Sequence, residues 1–118
     1  MKIGPIPKNL SEAVSSLVAT LSPADITFIK SNDAISQHHW MRRQIRNEWG
    51  LWEMESDLVQ WFQKNLQLGH ADDISSVILD SVWHQVTGEP FDLESKIAGY
   101  HDHWMSIGVD PVTQKKLG

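Results

Sequence analysis

The stretch HADDISSVILDSVWHQVTGEP, residues 70–90, predicts the strongest core helix of the chain. Asp72 is a natural N-cap for this helix, and Ser75 follows it three residues later. Gly88 and Pro90 are typical of a helix end. Because apolar residues repeat every three or four positions, they lie on one helical face. These residues are Ile74, Val77, Ile78, Val82 and Val86.

The same spacing and the same end signals recur along the chain, and no convincing strand pattern interrupts them. The expected fold is therefore all-α: a compact single-domain bundle of five to six short helices over residues 1–118. The tail from Val109 to Gly118 is expected to be frayed or loosely docked. The predicted helices are about 10–21, 23–31, 34–49, 57–69, 72–87 and 92–107.

Length and composition restrict the class of protein. The chain has 118 residues, 41% of them apolar and 21% charged, as expected for one globular domain. It has no apolar run of the roughly 18–20 residues that a membrane helix needs, and its start lacks the apolar stretch of a secretory signal. It has no cysteine, which excludes disulfides, thiolate metal sites and cysteine nucleophiles. A cytoplasmic protein without membrane contact is expected.

Charge is distributed unevenly. The formal net charge is −5, but residues 1–50 carry +2 and residues 51–118 carry −7. An acidic surface repels phosphates and attracts basic partners, so a nucleic-acid partner is not expected. The basic cluster of Arg42, Arg43 and Arg46 is interpreted as a solvated or acid-paired helix face.

Patterns typical of catalysis are weak. The histidine pairs 38–39 and 101–103 lie about 100° and 200° apart on a helix and do not suit one metal ion, so no metal or cofactor is expected. No nucleophile motif or glycine-rich phosphate loop occurs, and no catalytic residue is assigned. Acid–base chemistry by His70 with Asp72 or Asp73 is conceivable, but helix capping is the favoured interpretation.

The segment IRNEWGLW, residues 45–52, combines a cation, an amide and two large rings. Arg46 and Asn47 near a helix C-terminus can bind its last carbonyl groups. They can also reach Asp72 or Asp73 and tie two helices together, which would position a turn without adding much stability.

Six tryptophans are many for a chain of 118 residues. The favoured interpretation is a small core filled with large rings. The alternative is that Trp40 or Trp52 is an exposed anchor at a binding surface.

These motifs together resemble a family of small bacterial all-helical domains of unknown function. The family pattern reads, in order, a histidine, IRNxWGLW, SxL, a phenylalanine, HPDDMS and IIL, and the resemblance covers about residues 5–97. Three positions depart from it: Arg42 replaces a small residue, Ala71 a proline and Ile74 a methionine. The matching residues here are His38, 45–47, 49–52, Ser56, Leu58, Phe62, His70, Asp72, Asp73, Ser75, Ile78 and Leu79.

The resemblance implies an all-helical fold and brings no reaction, cofactor or substrate. It also implies that six polar residues converge, either as a structural network or as a binding site. They are His38, Arg46, Asn47, His70, Asp72 and Asp73.

Taken together, the sequence favours a non-enzymatic protein-binding module whose acidic second half engages a partner protein. Its most concrete version is an immunity-type protein that neutralises a basic bacterial toxin. The alternative is a small enzyme or ligand-binding domain that uses Arg46, Asn47, His70 and Asp73 around an anionic ligand. A homo-oligomer with exposed tryptophans at its interface is a third possibility.

Overall fold

The computed structural model describes residues 6–31, 43–53 and 55–117. Within these ranges the chain forms helices and no strand, which confirms the all-α prediction. No helix of the described part is long and apolar enough to span a membrane. The helices are α1 (Leu10–Thr20), α2 (Pro23–Ser31), α3 (residues 43–48), α4 (Asp57–Leu66), α5 (Ala71–Thr87) and α6 (Leu93–Ser106).

Helix α5 lies at the centre of the fold, as its apolar face predicts. It packs against α1, α2, α4 and α6, and most of its residues between Ala71 and Val82 are buried. Burial of large apolar side chains is the main stabilising contribution to such a bundle. The largest fully buried side chains are Trp49, Phe62, Leu17, Ile45, Leu51 and Leu58.

Most helix ends agree with the sequence. Ser56 accepts a hydrogen bond from the Val59 N–H and caps α4, and Asp92 caps α6 in the same way. Gly88 ends α5 with a φ of 76°, a left-handed conformation that glycine adopts without strain.

Two predicted helix ends are wrong. The N-cap of α5 is His70 rather than Asp72, because the His70 imidazole accepts the Asp72 N–H. Helix α4 ends at Leu66, and Gln67 is its C-cap with a φ of 55°, so the helix stops before Gly69. Gly69 serves a different purpose, since an ideal Cβ there would lie 1.8 Å from the Val112 carbonyl oxygen.

The predicted loose tail is also wrong, because the segment after α6 is folded back against the α4–α5 connection. The Gly69 N–H donates to the Pro111 carbonyl at 2.9 Å, and Gln63 Nε2 donates to the Val112 carbonyl at 3.2 Å. A bridge between Val109 and Lys116 closes the turn. The absent side chain at residue 69 allows this close backbone contact.

The tryptophans divide between core and surface. Trp49 is completely buried, as the core interpretation predicts, whereas the Trp52 side chain is 58% exposed, as the anchor interpretation requires. Trp61, Trp83 and Trp104 are half-buried. Trp40 lies outside the described residues.

Candidate functional site

His70 is placed by the start of α5. Its Nδ1 accepts the backbone N–H of Asp72 at 3.0 Å, so the proton of the neutral ring is on Nε2. This bond satisfies one of the free N–H groups of the first helical turn. The sequence places this imidazole at the α4–α5 junction, where α6 and the loop after α3 also meet.

Two tryptophan rings hold the imidazole of His70. Trp104 of α6 stacks on it with the ring centroids 5.1 Å apart and an interplanar angle of 30°. Trp52 meets it edge-on at 5.7 Å and 80°. Both arrangements are favourable for aromatic pairs, so the ring is fixed in orientation.

Arg46 forms an ion pair with Asp72, which confirms the predicted link between the IRNEWGLW segment and the start of α5. The guanidinium carbon also lies 5.5 Å from the centre of the Trp52 ring, in cation–π range. The two charged side chains are 22% and 44% exposed, and pairs so accessible to water stabilise a fold by about 1 kcal/mol or less. The pair therefore positions Trp52 more than it stabilises the fold.

Asp73 is a buried carboxylate, only 7% exposed. It accepts the indole N–H of Trp104 at 2.6 Å on Oδ2. Burial raises the pKa of Asp73 above its usual 3.8, although the Trp104 hydrogen bond and the nearby His70 act in the opposite direction. Burial is thus the largest influence on the pKa of the Asp73 carboxyl group.

A pocket of about 590 Å³ lies between the first turn of α5 and one face of α6, and it is open to solvent. Carboxylates, imidazoles and aromatic rings share its wall. The lining residues are His70, Asp72, Asp73, Ser95, Lys96, Gly99, Tyr100, His103 and Trp104.

A second ion pair lies farther along the same interface. Lys96 of α6 pairs with Asp80 of α5, and its ammonium lies 5.5 Å from the Tyr100 ring centre and 6.0 Å from that of Phe91. Burial alone would lower the pKa of Lys96, but the hydrogen bond to Asp80 and the interaction with Tyr100 raise it above 10.5. Lys96 is therefore a firmly held cation of the α5–α6 interface.

The structure brings together four of the six predicted polar residues: Arg46, His70, Asp72 and Asp73. Asn47 is an exposed residue near the end of α3, and it is not among the residues that line the pocket. The predicted roles of His38, and of Arg42 in the basic cluster, fall outside the described residues. No group of three histidines or acids that could hold a metal ion occurs in the described part of the chain.

The sequence interpretation missed the contribution of α6. Lys96, Tyr100 and Trp104 follow one another at intervals of four residues and therefore share a helical face. On α5, Asp73 and Asp80 are seven residues apart and also share a face. From these two spacings, the sequence could have predicted that α5 presents a face with two carboxylates and that α6 presents a face with one cation and two aromatic rings.

The family model described as "Domain of unknown function (DUF6794)" matches residues 6–86. No curated protein and no solved structure matches the chain. The matched segment includes His70, Asp72 and Asp73, whereas the other six pocket residues lie on α6 beyond it.

Proposed function

Because the chain belongs to the DUF6794 family of domains of unknown function, we propose its function from the geometry of the site: a non-enzymatic module that binds a basic partner protein. The proposal depends on one observation. Trp52 is 58% exposed, yet its ring is in contact with the Arg46 guanidinium on its face and forms a T-shaped pair with the His70 imidazole.

A large ring held in this way suits an interface anchor. Tryptophan and arginine are the residues most enriched among those that dominate binding energy in protein interfaces. A side chain that is already ordered loses less conformational entropy when a partner binds. Asp72 fixes Arg46, and Arg46 in turn supports Trp52, so the order of the ring extends back to α5.

Acidic side chains follow the anchor directly. Glu53, Glu55 and Asp57 are all exposed and come within five residues of Trp52. We call these four residues the Trp52 surface. An apolar centre with an acidic rim is complementary to a basic partner, whose approach it accelerates by long-range attraction.

The more specific proposal is an immunity-type protein that neutralises a basic toxin in a bacterial cytoplasm. It is supported by the −7 charge of residues 51–118. A basic toxin that acts on nucleic acid or nucleotides would match this charge. Binding is expected to be nanomolar or tighter, with an association rate that falls as salt rises.

The test begins with recovery of the partner from a lysate of the native organism, followed by measurement of Kd with both proteins purified. Trp52→Ala is expected to raise Kd about 30-fold, equivalent to about 2 kcal/mol. Ile107→Ala is the matched control, because Ile107 is 57% exposed and lies at the end of α6. Equal affinities of the two variants would contradict the proposal.

A second comparison isolates the acidic rim. The variant with Glu53→Gln and Glu55→Gln is expected to slow association and reduce its salt dependence. The control carries Glu89→Gln and Glu94→Gln, which remove the same charge from exposed positions before and at the start of α6. If both variants slow association equally, total charge rather than the Trp52 surface controls the encounter.

A small enzyme or ligand-binding domain is the second candidate function, and the open pocket containing His70 and Asp73 is the observation that favours it. In that function Arg46 and Asn47 would hold an anion while His70 and Asp73 exchange a proton. Asp72 already neutralises Arg46, which weakens such an anion site. Titration with inorganic phosphate, monitored by NMR, tests it: saturable shifts of the Arg46 and His70 signals would favour the enzyme.

A further inference from the structure

We propose that the pocket between α5 and α6 binds a small organic cation, a primary alkylammonium, with Asp73 as its counter-ion and the Trp104 and Tyr100 rings as its walls. This site is separate from the Trp52 surface and does not depend on a protein partner.

The charges of the pocket determine the sign of its ligand. Asp72 already has a cationic partner in Arg46, and Lys96 is already paired with Asp80. The described ion pairs do not include Asp73, whose described hydrogen-bond donor is the neutral indole of Trp104. Among the lining residues, which all belong to the described part of the chain, an anion would meet this carboxylate and no uncommitted lysine or arginine, whereas a cation would complete an ion pair.

The same interface already contains an example of the proposed arrangement. At Asp80 a carboxylate of α5 holds an ammonium, Lys96, that lies over the Tyr100 ring of α6. Asp73 lies seven residues before Asp80 on α5, and Trp104 lies four residues after Tyr100 on α6. These two residues provide a carboxylate and an aromatic ring, but no ammonium group is paired with them. The two ends of the interface thus differ by one positive charge, and the pocket provides the space for it.

The burial of Asp73 provides a reason for a cation to bind. A carboxylate that is 7% exposed loses most of its hydration, and burial raises its pKa. A bound cation stabilises the ionised form, so binding should strengthen as pH rises and Asp73 loses its proton. The other titratable groups at the pocket wall are His70, Asp72, Lys96, Tyr100 and His103.

The size and chemistry of the pocket suit a small amine. A volume of about 590 Å³ is in the range of small-molecule sites. Ammonium groups bind to aromatic faces, most strongly when water is partly excluded, and an alkyl chain can lie along Tyr100 and Gly99 toward the open side. Six of the nine lining residues lie on α6, outside residues 6–86, so the ligand would be specified by the part of the chain beyond the family match.

The test is a titration of the full chain with n-butylammonium and with 1,4-diaminobutane. Binding is monitored through the NMR signal of the Trp104 indole N–H. Trp104→Phe identifies that signal. Butyrate and n-butanol are the controls, since they have similar alkyl chains with a negative charge or none. Saturable shifts are expected for the two ammonium compounds, with affinity that rises with pH, and not for the controls.

Two variants locate the site. Asp73→Asn keeps the shape of the side chain and is expected to weaken ammonium binding at least about tenfold, or about 1.4 kcal/mol. Asp102→Asn removes one carboxylate from an exposed position of α6 and should leave binding unchanged. Gly99→Leu should fold, because nothing lies within 4 Å of the ideal Cβ position of residue 99. Its side chain would occupy space in the pocket without changing the charge there, so this variant should abolish ammonium binding.

Thermal unfolding of each variant verifies that it is folded, and Gly99→Leu decides the matter if Asp73→Asn does not fold. Absence of saturable ammonium binding to the wild-type chain would overturn the proposal. Equal binding of butyrate, or unchanged affinity in folded Asp73→Asn or Gly99→Leu, would overturn it as well.

Discussion

Gly69→Ala is expected to detach the C-terminal tail and to destabilise the protein. An ideal Cβ at residue 69 would lie 1.8 Å from the Val112 carbonyl oxygen and 2.8 Å from its carbon. Since Cβ atoms stay beyond about 3.0 Å from such atoms, the two backbone segments must separate by at least about 1.2 Å. Backbone atoms on both sides leave no flexible side chain to absorb this displacement.

The size of the effect follows from the contacts that such a displacement breaks. The Gly69 N–H to Pro111 bond and the Gln63 to Val112 bond both hold the tail, and each intramolecular hydrogen bond contributes about 0.5–1.5 kcal/mol. The expected loss is about 1–3 kcal/mol, a substantial fraction of the stability typical of a domain this size. Chemical denaturation followed by circular dichroism measures it, and hydrogen exchange of the tail amides shows whether the tail has detached.

Gly99→Ala is the matched control. Gly99 lies within α6, and nothing lies within 4 Å of its ideal Cβ position. Because alanine is the better helix former, this variant is expected to gain up to about 1 kcal/mol. The reasoning would be refuted if Gly69→Ala kept wild-type stability with protected tail amides, or if Gly99→Ala lost as much stability as Gly69→Ala.

Three further predictions concern single contacts. Because the pKa of Asp73 is raised above 3.8, the free energy of unfolding of the wild type should fall relative to that of Asp73→Asn as pH rises above this value. Chemical denaturation of both proteins between about pH 3 and pH 7 measures this difference. A difference that grows in favour of the wild type as pH rises would contradict the prediction. A double-mutant cycle with Asp80→Asn and Lys96→Met should give a coupling of about 1 kcal/mol. Because the pKa of Lys96 is raised above 10.5, the coupling should be complete below that pH and disappear as the ammonium deprotonates above it. Gln67→Gly should stabilise the protein by about 0.5–1 kcal/mol in thermal unfolding, since residue 67 has a φ of 55°, and a lower melting temperature would refute this.

Local patterns predicted the parts of the fold that depend on neighbouring residues. Helix α5 lies where the apolar spacing puts it, and Gly88 ends this helix as expected. Each of these features involves residues within about four positions of one another, which is the range over which helical periodicity and capping act. For Arg46 the sequence left Asp72, Asp73 and the carbonyl groups of its own helix end as possible partners, and the folded chain selects Asp72.

The prediction of the wrong N-cap for α5 arose because two nearby residues can both cap this helix. Asp72 and His70 can both accept a first-turn N–H, and propensity favours the aspartate. In the folded chain the Arg46 guanidinium pairs with the Asp72 carboxylate, and the imidazole of His70 caps the helix instead. The contact between Arg46 and Asp72 joins residues 26 positions apart, a separation that local reasoning does not consider.

By itself, the sequence determined the helical class, the central helix and the acidic second half, because periodicity, capping and net charge are properties of short segments or of composition. Only the tertiary structure decided that Trp104 binds Asp73 across 31 residues, that Gly69 accommodates the tail and that a pocket lies between α5 and α6. The physical reason is that these contacts arise where separate helices pack, and the positions at which two surfaces meet depend on the shape of the whole core.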